Sequence, residues 1–437
     1  MIRPGARIEF ESVPAPAMSI GGRGIAALAL PMAWGAEGEL IAINSTDLSS
    51  GAAFSKIGYT AAEEGSLLFR ECLRYCYKLF AWRSDRGGVK ASATVAPMTV
   101  TALYTGARGN DLEVSVFANG SEYDVVTYLD KVIVDEQTVG DIENLEANAW
   151  VTFSGSGEPA ATAGTPLTGG TNGTINAAAY SGFFAALGLE SWQVMGIIDP
   201  AVNIPSLVTD FIHNQRDVQG RKVQGVVYNS TAANYEGIIA IKQGYATESG
   251  EEVAGANAVA LAVGMSAGAA INESNTNTLV NGAIRILGEM THDEIVEGLQ
   301  EGWFILSKRV DGSIKIEQDI NTFREFAPTR GKEYRKNRVI RTLDEIGNTV
   351  KLTWEQFYEG SADNDQAGRN AFKADLISYF RMLQAERAIT GFTPEDVVVR
   401  KGNEIDAVVV DAWITPVDSM EKLYMTVYTR VGGEADA

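Results

Sequence analysis

Histidine and cysteine are almost missing from this 437-residue chain, at two residues each. Neither His213 nor His292 sits in an H-E-x-x-H array, so a histidine-rich metal site cannot be built. Cys72 and Cys76 have no second pair and no nearby histidine, which excludes a disulfide scaffold and a zinc site. Their spacing reads as two reduced thiols buried on one face of a helix spanning about 61–82. Basic charge is also scarce. Lys and Arg total 36 against 56 Asp and Glu, a net charge of −20, which argues against nucleic acid or an anionic membrane surface as the main partner. The most apolar stretch, Val253 to Ile271, is mostly Ala, Gly and Val. It reads as a small-residue helix buried between layers, with a membrane span as the lesser alternative. The first eleven residues hold no apolar run of the kind a secretory signal needs, so folding in a cytoplasm is expected.

What is present suits a folded protein of several domains. Apolar residues make up 45% and charged residues 21%, and the length is near three times that of a domain of roughly 150 residues. A strand is expected at 25–32, and short β runs at 114–117, 123–129 and 131–135 predict a small β domain. A Gly-, Ala- and Thr-rich linker follows at 154–174. Then helices near 176–187 and 204–218 alternate with strands at 193–198, 222–228 and 238–241, the rhythm of a largely parallel sheet covered by helices. Beyond about residue 328 come two amphipathic helices, the second striped by Phe372, Leu376, Ile377, Phe380 and Leu383. The end reads as a hairpin, 405–414 with 423–431.

Catalytic signatures are thin. Gly264-Met-Ser266-Ala-Gly268 matches the nucleophile-elbow pattern, but it lies inside the small-residue helix rather than on a strand-to-helix turn. The glycine clusters at 21–24 and 169–173 lack a following Lys-Ser/Thr and read as turns. No cofactor is expected. One basic run does stand out: Arg330, Lys332, Arg335, Lys336, Arg338 and Arg341 fall within twelve residues of an acidic protein. It reads either as a solvated helix face or as a docking site for an acidic partner. Cations at a helix start oppose the macrodipole, which favours an external negative surface.

The segment Ala102-Leu-Tyr-Thr-Gly106-Ala-Arg-Gly109-Asn110-Asp111-Leu112 and the later Leu167-Thr-Gly-Gly-Thr-Asn-Gly173 resemble the opening and closing of the inserted β domain of contractile phage tail sheath proteins. Gly302-Trp-Phe-Ile-Leu-Ser, Ile314 to Phe323, Gly402-Asn-Glu-Ile-Asp406 and Pro416 to Thr426 are similar to further parts of that family, of the Gram-positive myophage, defective prophage and tail-like bacteriocin type. Arg3-Pro4-Gly5 fits as well. The matches run in order from residue 3 to about 430.

The resemblance implies an α+β multidomain fold. A central α/β domain of subtilisin-like fold would carry a small β-sandwich or barrel insertion, and a C-terminal α+β domain would be completed by the N-terminal segment. The boundaries expected are an N-terminal arm at 1–20, the first part of the sheath domain at 21–95, the β domain at 96–172, the central domain at 173–327, the C-terminal domain at 328–420 and a C-terminal arm at 421–437. It implies a non-enzymatic subunit that polymerises helically around an inner tail tube and contracts, with baseplate and tail terminator proteins as further partners. Assembly in the bacterial host cytoplasm, then residence in a virion tail or released tail-like particle, would follow. Strand exchange would use Arg7, Ile8, Glu9 and Phe10 at one end and Leu423, Tyr424, Met425, Thr426 and Val427 at the other, since short alternating strands can add to a neighbour's sheet edge. Lys332, Arg335, Lys336 and Arg338 would face the tube. The rival readings are an α/β hydrolase using Ser266, a type VI secretion-like sheath component, and a non-contractile surface or capsid protein.

Overall fold

The computed structural model describes residues 18–175 and 177–429. Its centre is a six-stranded sheet made of β1 (Ile25–Leu30), β2 (Leu40–Asn44), β3 (Lys78–Arg83), β4 (Val194–Ile197), β5 (Gln224–Tyr228) and β6 (Ile238–Ile241). The order is β6-β5-β4-β1-β3-β2, parallel throughout except for the antiparallel edge strand β2.

These strands are apolar almost end to end because both faces are covered. One face, carrying Ala26, Leu28, Leu79 and Val226, packs on α1 (Leu67–Leu73) and, across the sheet, on a helix from the later chain. The other, carrying Ala27, Phe80, Met195 and Val227, packs on α2 (Ala177–Leu187) and α3 (Ile204–His213). Alternate residues of one strand therefore serve opposite cores. The covering helix on the first face is α4 (Val259–Gly268), which is buried on all sides. Its small residues allow close backbone approach: a Cβ on Gly264 would lie 2.4 Å from the Cys72 carbonyl oxygen, and one on Gly268 would lie 1.8 Å from that of Tyr75.

The helix expected over 61–82 is shorter. It ends at Leu73, and Lys78–Arg83 form β3 between β1 and β2. Leu79 continues the helical spacing of Cys72, Tyr75 and Cys76, yet the whole run Leu79-Phe80-Ala81-Trp82 is buried in the sheet, and two-sided burial decides the outcome. Cys76 consequently lies beyond the helix, its sulfur 3.8 Å from that of Cys72, both buried and free.

The inserted domain is a sandwich of two antiparallel sheets. One has three strands (Ser92–Val95, Met98–Ala102, Val151–Ser154) and the other four (Leu112–Asn119, Glu122–Leu129, Val132–Val139, Thr162–Pro166). The linker expected at 154–174 is therefore partly structural: Thr162–Pro166 pairs with Leu112–Asn119, and Thr168 and Thr171 bridge back to Ser92 and Val89. Trp34, from the loop after β1, fills the sandwich core beside Trp150 and Tyr104 and donates its indole N–H to the Ser55 carbonyl at 2.8 Å.

The C-terminal part packs α5 (Asn337–Thr353) and α6 (Gln366–Ala385) with a hairpin of Val397–Lys401 and Val408–Ala412. Phe372, Leu376, Phe380 and Leu383 form the buried stripe, and Met18 and Ile20, from the start of the described chain, pack into the same core. The hairpin expected between 405–414 and 423–431 is not formed. Val408–Ala412 pairs instead with Val397–Lys401, where five consecutive residues match in register, and residues 417–429 carry no strand.

Gly268→Ala should lower stability by about 2–3 kcal/mol, because the added methyl meets main chain that cannot yield. Gly22→Ala, which meets nothing within 4 Å, is the control. Thermal unfolding of both variants measures the difference; equal midpoints would refute the close-packing account.

Candidate functional site

The basic run divides into two groups. Three members pair with carboxylates of their own subunit. Arg341 is fully buried and pairs with the equally buried Asp319 at 2.6 Å, while Asn337 donates to the other Asp319 oxygen at 2.9 Å. Arg330 reaches Glu236. Lys336 pairs with Glu421 and lies 3.8 Å from Asp418, both at the root of the C-terminal segment. The remaining three, Lys332, Arg335 and Arg338, have no carboxylate partner among the described residues. The expected outer helix face is therefore only partly outer. Residues 332–335 form a short 3-10 turn, and α5 begins at Asn337.

Arg335 and Arg338 are half-buried, and the Nε and one terminal nitrogen of Arg335, with the Nε of Arg338, are buried without acceptors among the described residues. Burial, together with the nearby Arg324, pushes the Arg335 guanidinium below its ordinary value. A desolvated cation without an anion is costly, and a carboxylate brought by a second molecule would offset that cost.

A buried polar seam supports this surface from behind. Arg216 of the central domain grips Asp344 of α5 through two contacts at 2.6 and 2.8 Å. Arg23 donates to the Ala269 and Ser266 carbonyls at the end of α4 and is lowered to about 10 by burial and by Arg341. The Gly21 amide donates to Glu345 at 2.7 Å.

The terminal strips have different fates. Arg7, Ile8, Glu9 and Phe10 lie outside the described residues. Leu423 (84% exposed), Tyr424 (89%), Met425 (73%) and Val427 (72%) are open to solvent, and Thr426 is exposed beside them. No residue of 422–429 makes a hydrogen bond or ion pair with another described residue. This concentration of apolar side chains in water is the strongest surface signal in the chain.

Ser266 lies in the middle of α4, fully buried, its hydroxyl without a partner. It occupies no strand-to-helix turn and faces no described histidine. His213 pairs with Asp217 and stacks on Tyr235, and His292 starts another helix. No group of three metal-ligating side chains occurs among the described residues, and none of their helices is long and apolar enough to cross a membrane.

The exposed apolar tail is the kind of surface that joins another molecule, and comparison with known proteins agrees. Residues 86–172 match the phage tail sheath protein beta-sandwich domain, 173–322 the phage tail sheath protein central domain and 329–430 the phage tail sheath C-terminal domain. The chain is 32% identical to the phage-like element PBSX protein XkdK of Bacillus subtilis, covering 97% of each. It is similar to the solved sheath tail protein of Desulfitobacterium hafniense, with 36% identity, a TM-score of 0.87, and coverage of 96% of this chain and 99% of that one. It also shares its fold, at 10% identity and a TM-score of 0.60, with the helical sheath of the anti-feeding prophage in its contracted state, over 97% of this chain and 98% of that one. The chain belongs to the phage tail sheath family and is a structural sheath subunit.

Asp319→Ala leaves Arg341 buried and unpaired and should cost about 3–5 kcal/mol, read from denaturant unfolding. A loss below about 1 kcal/mol would contradict the seam's importance. A serine-directed fluorophosphonate should leave Ser266 of the native protein unlabelled; a labelled peptide would contradict its burial.

Proposed function

We propose that this subunit polymerises helically around an inner tail tube, is linked to its neighbours by exchanged terminal strands, and contracts to drive the tube into a target cell. The observation that carries this reading is the exposed strip from Leu423 to Tyr428, whose apolar side chains are not covered by any of the described residues. A receptor for it is at hand. The hairpin 397–412 has only two strands, with Val398, Val410 and Trp413 exposed, and two-stranded sheets are marginal in water. An added strand with about five backbone hydrogen bonds at roughly 0.5–1.5 kcal/mol net each contributes a few kcal/mol per link, which becomes large over a lattice.

The same reading places Lys332, Arg335 and Arg338 against acidic residues of the tube, supported by their lack of internal carboxylates. Lys336 fits that role less well because Glu421 already neutralises it. It also takes the central sheet as the subtilisin-like fold of the family, supported by the parallel strands, but without proteolysis, since Ser266 is buried in a helix. Within the division expected at residues 20, 95, 172, 327 and 420, separate buried clusters support the sandwich at about 96–172 and the C-terminal core beyond 327, whereas 21–95 and 173–327 share their cores, and Met18 ties the N-terminal segment to the C-terminal core. Baseplate and terminator contacts, and assembly in the host cytoplasm, belong to the same proposal. A type VI-like component is disfavoured because one chain carries both the sandwich and the whole C-terminal domain.

Removing residues 423–437 should abolish polymers while leaving a folded monomer, measured by sedimentation and circular dichroism together. Polymers of normal length from the truncated chain would overturn strand exchange. Lys332→Glu with Arg335→Glu should weaken capture by purified tube at least tenfold while tube-free polymerisation persists. Unchanged capture would remove the tube-facing assignment.

A further inference from the structure

The C-terminal strip makes no hydrogen bond or ion pair with other described residues over 422–429, but its root does. Glu421 accepts from the Thr276 hydroxyl at 2.8 Å and from the Gln318 amide at 2.6 Å, and it pairs with Lys336. Ser419 reaches the same carboxylate at 3.4 Å, and Asp418 lies beside Lys336. Thr276 and Gln318 belong to the central domain, whereas Lys336 immediately precedes α5 of the C-terminal domain. Through Thr276, whose hydroxyl also accepts the Asp319 amide at 2.9 Å, the carboxylate is wired into the Asp319–Arg341 pair. One side chain thus pins the departure point of the arm to the junction of two domains.

We propose that Glu421 is the latch of the C-terminal arm: it fixes where and in what direction residues 422–429 leave the subunit, and it couples that direction to the junction between the central and C-terminal domains. This rests on the strand-exchange reading and adds its control. An arm aimed from a fixed root meets its neighbour's edge with less conformational entropy to lose than one free from Pro416 onward. Lys336 then has a defined task, since it holds the arm rather than the tube.

Burial works to raise the Glu421 carboxyl, but the hydrogen bonds from Lys336, Gln318 and Thr276 outweigh it and hold it below the ordinary carboxylate value. A lowered value means the contribution is fully present above about pH 4.3 and fades as pH falls through the folded value. The latch is therefore closed at neutral pH and opens in acid.

The test is amide hydrogen exchange of the full-length monomer at neutral pH, followed by polymerisation without tube. Glu421→Gln and Glu421→Ala should speed exchange within 417–422 about tenfold at the Val417 amide, which donates to the Ala388 carbonyl at 2.9 Å, and lower the rate of polymer formation, with the thermal midpoint little changed. Lys336→Glu should do the same, and the double variant Lys336→Glu/Glu421→Lys should recover most of the protection. Exchange over 417–422 unchanged by either Glu421 variant would overturn the latch. If exchange rises but polymers form at the normal rate, the coupling to assembly is wrong. Failure of strand exchange itself would show differently, as normal polymers from a chain lacking 423–437.

Discussion

The ion pair of Asp319 with Arg341 is the contact on which the rest of the molecule depends. Both partners are wholly removed from water; Asn337 and the Asn275 amide complete the carboxylate, while one terminal nitrogen of the guanidinium serves both Asp319 and the Glu273 carbonyl and its other two nitrogens have no acceptor among the described residues. A buried pair of this kind adds little net stability over an apolar pair, yet it is expensive to break and accepts few alternative geometries. Its value here is positional. It fixes α5 against the central domain, and the two surfaces proposed to act in assembly, the basic turn at 332–338 and the root of the C-terminal arm, are mounted on that junction.

The inserted sandwich is held by a different device. Trp34 crosses from the central domain into the sandwich core, while Arg108, in the 3-10 turn at 107–111, pairs with Glu63, Asp111 and Asp130 and lies over Tyr59. Arg83, at the end of β3, pairs with Asp85 and donates to the Gly35 and Thr105 carbonyls. A large aromatic anchor and two multiply bonded arginines tie the domain without a continuous apolar interface.

Much of this was readable in the sequence, and the failures have physical causes. The α/β rhythm of 177–241 stood out because both elements are pure in pattern: strands buried on both faces, helices with one apolar stripe. Lys78–Arg83 was mistaken for helix because a run buried on both sides carries no period of its own. The terminal hairpin was misplaced because Leu423, Met425 and Val427 alternate with polar neighbours as a strand should, and alternation alone names no partner strand; none of the described residues pairs with them. The basic run was visible as composition, but not that half of it is already paired with carboxylates of the same subunit. That division depends on Asp319, Glu236 and Glu421, which lie far away in sequence or are single acids among many.

The central claim is that residues 423–428 are a strand belonging to another subunit's sheet. A helical reconstruction of the assembled polymer by electron cryo-microscopy tests it most directly. The account predicts main-chain density for this segment paired beside the 397–412 hairpin of an adjacent copy, with Glu421 still at Lys336 of its own. Density that folds the segment back onto its own subunit, with hairpin edges unpaired, would contradict it.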